Sequence, residues 1–258
     1  MLVDLYAGAL ADAESRMSVI SLADLERAAG EKVPALDARE ALQPSDQVKI
    51  IAEVKRASPS RGPLADITDP ASLALSYETG GASAISVLTE GRKFKGTLDD
   101  LRAVRDVVTV PLLRKDFIAT PYQVFEARAA GADLVLLIVA GLDQKTLVEL
   151  HTLIIDLGMT ALIETHSADE VVRGLDAGAT VLGVNARNLT TFELDQDLFG
   201  SLADSIPSGV VRVAESAVKV PADVAHYRRA GADVVLVGEA LVVHGDPVDA
   251  ITRFREAS

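Results

Sequence analysis

Beyond residue 48 the chain alternates between two hydropathy patterns. Short runs of Val, Leu and Ile end in polar or charged residues, and each run is followed by a stretch with apolar positions three and four apart. The first pattern suits a parallel strand buried on both faces, the second an amphipathic helix. Strands are predicted over Lys49–Lys55, Ala84–Glu90, Val110–Asp116, Leu134–Ala140, Thr160–His166, Val181–Arg187, Val210–Ser216 and Val234–Ala240. Helices are predicted over Asp69–Thr79, Leu98–Val107, Pro121–Ala130, Asp143–Leu157, Ala168–Asp176, Asp195–Asp204, Pro221–Ala230 and Pro247–Glu256. Pro70, Pro121, Pro221 and Pro247 fall at first-turn positions, where the missing N–H costs nothing. Eight strands, each followed by a helix, predict an α/β fold of the closed (βα)8, or TIM, barrel type.

A recurring Gly-Ala pair supports the count. Gly81, Gly131, Gly178 and Gly231 stand at intervals of 50, 47 and 53 residues, each followed by Ala and then a strand. Such a Gly releases the preceding helix through a left-handed cap, and about 50 residues is two strand–helix units.

Residues 1–48 follow another pattern. Leu2, Leu5, Tyr6 and Leu10, then Leu22, Leu25 and Ala28, recur at helical spacing; Ser21 reads as an N-cap, and Pro34 interrupts before a last helical piece at Ala38–Leu42. This segment is too short to hold its own core. It is expected to pack as a helical extension on a barrel of residues 49–258, with no second globular domain.

Composition narrows the classes. The 258 residues are 49% hydrophobic but only 4% aromatic, without Trp, which favours layered α/β packing over a sandwich. A net charge of −13 argues against a nucleic-acid surface. No Cys is present, so disulfides, thiolate nucleophiles and Cys-ligated zinc are excluded. Met1–Ile20 carries Asp4, Asp12, Glu14 and Arg16, unlike a signal peptide or membrane span, and Leu134–Ala140 is too short to cross a bilayer. A soluble, cytoplasmic protein is expected, with neither nucleic acid nor membrane as partner.

In such a barrel the functional face lies at the carboxyl ends of the strands. Those ends read Glu53, Lys55, Glu90, Lys115, Asp116, Glu164, His166, Asn185, Arg187, Glu215, Ser216, Gly238 and Glu239. An acid or amine on nearly every strand exceeds what generic loops supply, because unpaired charge there costs stability. The four histidines, His151, His166, His226 and His244, fall on unrelated elements, and neither His166 nor His226 is expected to be catalytic. No metal-ligand spacing is found, although carboxylates alone can hold Mg²⁺. No Walker-type loop and no Gly-x-Gly-x-x-Gly follows a strand, so no cofactor is expected. The loops after the last two strands, with Ser216 and Gly238, suit a phosphate, and Ser58 and Ser60 can close its other side. Glu239 would repel the phosphate through its carboxylate, so only its amide is expected to serve.

At these residues the chain resembles the indole-3-glycerol-phosphate synthase family. The resemblance rests on Ile51-Ala52-Glu53-Val54-Lys55-Arg56-Ala57-Ser58-Pro59-Ser60-Arg61-Gly62, Ser86-Val87-Leu88-Thr89-Glu90 and Leu113-Arg114-Lys115-Asp116-Phe117-Ile118. It continues through Gly183-Val184-Asn185-Ala186-Arg187-Asn188-Leu189 and Ala214-Glu215-Ser216, and it covers essentially the whole chain. It implies a cofactor-free ring closure, decarboxylation and dehydration of 1-(2-carboxyphenylamino)-1-deoxyribulose 5-phosphate, with no obligatory protein partner. By the family pattern Lys115 is the acid for ring closure, Glu164 the base, and Lys55 a second lysine that holds an anionic group or acts in dehydration. Glu53 orients the lysines, and Asn185 and Glu215 complete the polar wall. Phe117 and Leu189 are implied to pack on the anthranilate ring; Ser58, Ser216 and Gly238 to hold phosphate; Arg187, Glu90 and Glu239 to border the substrate.

Two departures stand out. Ala217 replaces a Gly common after the Glu-Ser of the seventh strand, and the extension lacks a Phe often found before the first strand. A phosphoribosylanthranilate isomerase would share the fold and phosphate site but relies on a Cys, which this chain lacks. A non-catalytic metabolite-binding barrel would have no reason to keep amines and acids together at strand ends.

Overall fold

The computed structural model describes residues 1–189, 191–243 and 245–257. Eight parallel strands close into a barrel: β1 (Lys49–Val54), β2 (Ala84–Leu88), β3 (Leu112–Lys115), β4 (Leu134–Ile138), β5 (Thr160–Thr165), β6 (Val181–Asn185), β7 (Val211–Glu215) and β8 (Val234–Val237). They follow one another around the ring in chain order, and β8 pairs back onto β1 with Ala52 opposite Val237. Every strand falls inside its predicted span and stops short of its end, because the ladder breaks where polar side chains turn into the βα loops.

The helices are α1 (Leu2–Met17), α2 (Leu22–Gly30), α3 (Ala38–Ala41), α4 (Pro70–Thr79), α5 (Leu98–Arg105), α6 (Pro121–Ala130), α7 (Gln144–Asp156), α8 (Ala168–Asp176), α9 (Leu198–Ala203), α10 (Pro221–Arg229), α11 (Glu239–Val243) and α12 (Pro247–Glu256). The four first-turn prolines sit where expected. Gly81, Gly131, Gly178 and Gly231 all have φ between 92° and 97°, the left-handed geometry that lets each chain reversal under the barrel stay tight.

Three features differ from the sequence reading. The predicted helix from Asp195 shrinks to α9, because Asp195 N–H donates to Ala186 O and Arg187 bridges Leu194 in an antiparallel turn. The predicted strand to Ala240 ends at Val237 and gives way to α11. The loop after β1 folds into a small antiparallel ribbon, with Ala57 opposite Pro63 and Ser58 opposite Gly62.

The extension buries a narrower stripe than predicted. Leu5, Tyr6, Ala9 and Ala13 of α1 are buried, whereas Leu10 and Leu22 remain exposed, since small residues permit close approach to the barrel. Ser21 caps α2 by accepting from Asp24 N–H. Leu25 and Ala13 pack on Tyr122, whose hydroxyl donates to Ile20 O at 3.0 Å. Arg16 forks onto Glu126 of α6, with Nη2 2.9 Å from Oε2. Glu126 in turn faces Arg114, a fully buried guanidinium on the outer face of β3. Arg114 also reaches Gln123 O at 2.7 Å and Asp116 at 3.0 Å. A buried cation is tolerable only with such partners, and this set ties the extension to the strand that carries Lys115.

Candidate active site

The inward side chains of the upper barrel enclose a cavity of about 360 Å³ at the carboxyl ends of the strands. Alternation along each strand decides what enters it. On β1, Glu53 points inward, and Lys55, two residues on, points the same way and pairs with it. The same parity brings in Lys115, Glu164, Asn185 and Glu215, above a floor that includes Leu136 and Leu236. Register sets their lateral neighbours: Glu164 stands beside Gly183, and Asn185 beside Glu215.

The charged groups converge. Lys115 Nζ lies 3.4 Å from Glu164 Oε2 and 3.7 Å from Glu215 Oε2. Asn185 Oδ1 accepts from Ser216 Oγ at 2.8 Å and from Arg187 N–H at 3.0 Å. Asp116 turns to the other side of β3, accepting from Thr89 Oγ1 at 2.6 Å and from Phe117 N–H at 2.9 Å, which fixes the backbone just after Lys115.

These neighbours separate the titrations. Burial alone would lower the Lys115 amine, but Glu164, Glu215 and Glu53 outweigh it and hold Lys115 above the ordinary lysine value. Burial would raise Glu164, yet Lys115, with His166 and Asn185, holds it well below the usual carboxylate range. Glu215 goes the other way: burial and the neighbouring Glu164 charge push it well above 4.5 despite Lys115. Neither Glu215 oxygen has a hydrogen-bond partner. Glu164 is thus held towards its ionised form, Lys115 towards its protonated form and Glu215 pushed towards its neutral form side by side, the separation of acid from base that proton-transfer chemistry requires.

The apolar half is a slot beside these groups. Phe117 and Leu189, singled out from the sequence, line it together with Phe94, Ile138 and Leu5. Tyr6 stacks edge-on against Phe117 with ring centroids 5.6 Å apart. Ser58, Arg187, Ser216, Gly238 and Glu239 also line the cavity. The Glu239 carboxylate is drawn 3.1 Å from the Arg61 guanidinium. Glu90 is not among the lining residues. It lies just past β2, and its carboxylate accepts the N–H groups of Arg92, Lys93 and Phe94 at 2.9, 2.7 and 2.9 Å; its work is to shape the loop that carries Phe94. The cavity wall from α1 carried no sequence signal, because Leu5 reads only as one more apolar helix position. Among the described residues no group of His, Asp and Glu forms a metal site, and His244 lies outside the described residues.

Parallel barrel, strand-end acids and amines and an adjoining apolar slot define the class: a barrel with an acid–base centre at its mouth. The family model for indole-3-glycerol phosphate synthase matches residues 2–254. An indole-3-glycerol phosphate synthase of Leifsonia xyli subsp. xyli is 65% identical over 255 residues, covering 99% of this chain and 98% of the relative. One from Mycobacteroides abscessus is 56% identical over 244 residues, covering 95% and 89%. The chain belongs to the indole-3-glycerol phosphate synthase family, carboxy-lyases of tryptophan biosynthesis. Among solved structures, a 3-hexulose-6-phosphate synthase superposes with a TM-score of 0.65 at 19% identity, over 81% of this chain and 99% of that one. A thiamine phosphate pyrophosphorylase from Pyrococcus furiosus superposes at 0.63 and 16% identity, over 86% and 97%. At such identities these two share the barrel fold alone. No helix among the described residues is long and apolar enough to cross a membrane.

Proposed function

We propose that Lys115 and Glu164 are the acid–base pair that closes the indole ring of 1-(2-carboxyphenylamino)-1-deoxyribulose 5-phosphate. The observation that carries this is the contact of Lys115 with both Glu164 and Glu215 at the edge of an apolar slot. The Lys115 ammonium donates a proton to the ribulose carbonyl oxygen as the aryl carbon bearing the carboxylate attacks the carbonyl carbon. That carboxylate then leaves as CO₂, and its bonding electrons restore the aromatic ring. Glu164 removes the proton from the sugar carbon next to the ring nitrogen, and the new hydroxyl leaves as water, protonated from the acid side of the site. Products and substrate balance as indole-3-glycerol phosphate, CO₂ and water.

Lys55, paired with Glu53, faces the same space and serves the substrate carboxylate or the dehydration. Glu215, kept neutral, is suited to donate a hydrogen bond to the departing hydroxyl. Phe117 and Leu189 flank the anthranilate ring, and Ser58, Ser216 and Gly238 hold the phosphate. The partner is thus a small phosphorylated molecule, and the acidic surface suits a cytoplasmic setting. The test is Lys115→Met: turnover should fall at least about 10²-fold, as for other general acids. Affinity for a carbonyl-reduced analogue of the substrate should stay within about tenfold. Near-normal turnover in the variant removes Lys115 from the acid role.

A further inference from the structure

His166 follows β5 and has no part in the proton transfers described above. Its ring is partly buried between two carboxylates. Nδ1 lies 3.2 Å from Glu170 Oε2, and Nε2 lies 3.4 Å from Glu164 Oε1, the oxygen not facing Lys115. That second approach has ion-pair distance without hydrogen-bond alignment, and Nε2 has no other polar partner. Glu170 is itself held: its Oε2 also accepts His166 N–H at 2.8 Å, and its backbone N–H donates to Ser167 Oγ at 3.3 Å at the start of α8. The imidazole therefore cannot swing away without breaking both ends of a Glu–His–Glu sandwich.

We propose that His166 is a positioning residue for Glu164, a fixed imidazolium that aims the base carboxylate at the cavity and keeps it ionised. The inference rests on Glu164 being the base of the ring-forming reaction. Glu164 is bracketed by cations: Lys115 from β3 on one oxygen and His166 on the other. Facing the pair are Asn185 from β6, the neutral carboxyl of Glu215 from β7, Glu53 from β1 and the Tyr6 hydroxyl from α1. None of these four supplies positive charge. Burial opposes protonation of His166, but Glu164 and Glu170 outweigh it and raise its pKa to about 10. The ring thus carries its charge throughout the range in which an enzyme of this kind works. A carboxylate buried at the barrel mouth, with Glu215 close by, would otherwise drift upward and lose its basicity. Lys115 cannot serve this purpose alone if it hands its proton to the substrate, since its charge falls at the moment Glu164 must act. A second, non-reacting cation answers that need.

The experiment has two arms. In the first, the pH dependence of kcat/KM is compared for the unaltered enzyme and for His166→Gln and His166→Asn. The acid limb should move upward by at least half a pH unit in both variants, and kcat should fall more than KM changes. A loss that scales the whole profile without moving the limb assigns His166 a packing role and overturns the proposal. In the second, which needs no variant enzyme to be active, the imidazole nitrogens are followed by NMR in the unaltered protein. One of the four histidines should stay doubly protonated above pH 8, and in Glu170→Gln that ring should titrate at lower pH. Four rings that all titrate near 6.5 contradict the proposal whatever the kinetics show. Glu164→Gln separates the two readings: if it stays active, the base assignment fails; if it is inactive while the His166 variants keep an unshifted limb, the positioning role alone fails.

Discussion

Gly183 is the space into which Glu215 leans. A methyl group on Gly183 would overlap Oε1 of Glu215, and register puts Gly183 directly beside Glu164. β6 therefore lacks a side chain at the one inward position between the two carboxyl groups, and Glu215 reaches across it towards Glu164 and Lys115. Gly238 plays a matching part at the end of β8, just past Val237, where a Cβ would fall 2.6 Å from Glu53 Oε1 and 3.0 Å from Lys55 Nζ. Each acid–amine pair is accommodated by a missing side chain on an adjacent strand.

Gly183→Ala should therefore displace the Glu215 carboxyl while keeping the barrel. Overpacking of this kind costs about 1–3 kcal/mol, and turnover should fall well beyond what that loss of stability explains at a temperature where the variant is folded. Circular dichroism melts and steady-state rates on the same preparation check it. Unchanged turnover would mean that Glu215 need not stand beside Lys115.

Glu215 also gives stability a pH signature. Its folded pKa is raised above 4.5, so its neutral form favours folding at low pH, and that advantage is lost as pH rises from 4.5 through the folded value. Glu215→Gln cannot ionise. The melting temperature of the variant, measured against the unaltered protein, should rise as pH increases from 4.5 and level off once pH passes the folded value. A difference that is flat across that window contradicts a neutral Glu215.

Ala217 occupies a position where Gly would be easier. It lines the cavity with φ 57°, next to Ser216 at φ 69°, so two consecutive residues with side chains sit in the left-handed region. That conformation costs an L-residue roughly 1–2 kcal/mol, partly offset in Gly by its greater unfolded freedom. Ala217→Gly should stabilise the protein by up to about 1 kcal/mol, and KM should fall where the methyl group crowds the phosphate loop. Denaturant titration and initial-rate kinetics check both, and a destabilised variant would contradict the strain.

What the sequence made legible followed from periodicity. The inward parity of Glu53 and Lys55 could be read because the strand alternation is regular, and Lys115, Glu164, Asn185 and Glu215 followed from the same rule on other strands. Glu90 broke the rule because β2 ends at Leu88, and past the ladder a side chain is aimed by the loop rather than by the pleat. The contributions of Leu5 and Tyr6 depend on how α1 docks over the barrel mouth, a tertiary fact with no local signal. His166 was passed over because a lone histidine has no distinguishing pattern; only the fold brings Glu164 and Glu170 to its two nitrogens. Gly183 was visible as a residue but not as a vacancy, since its neighbour Glu215 stands 32 positions later.

The most direct measurement of the central claim follows indole absorbance and CO₂ release together, after 1-(2-carboxyphenylamino)-1-deoxyribulose 5-phosphate is added to the unaltered protein and to Glu164→Gln. The account predicts equimolar indole-3-glycerol phosphate and CO₂ from the unaltered protein, and a rate at least about 10²-fold lower in the variant. Indole formation in Glu164→Gln at a rate close to that of the unaltered protein would contradict it.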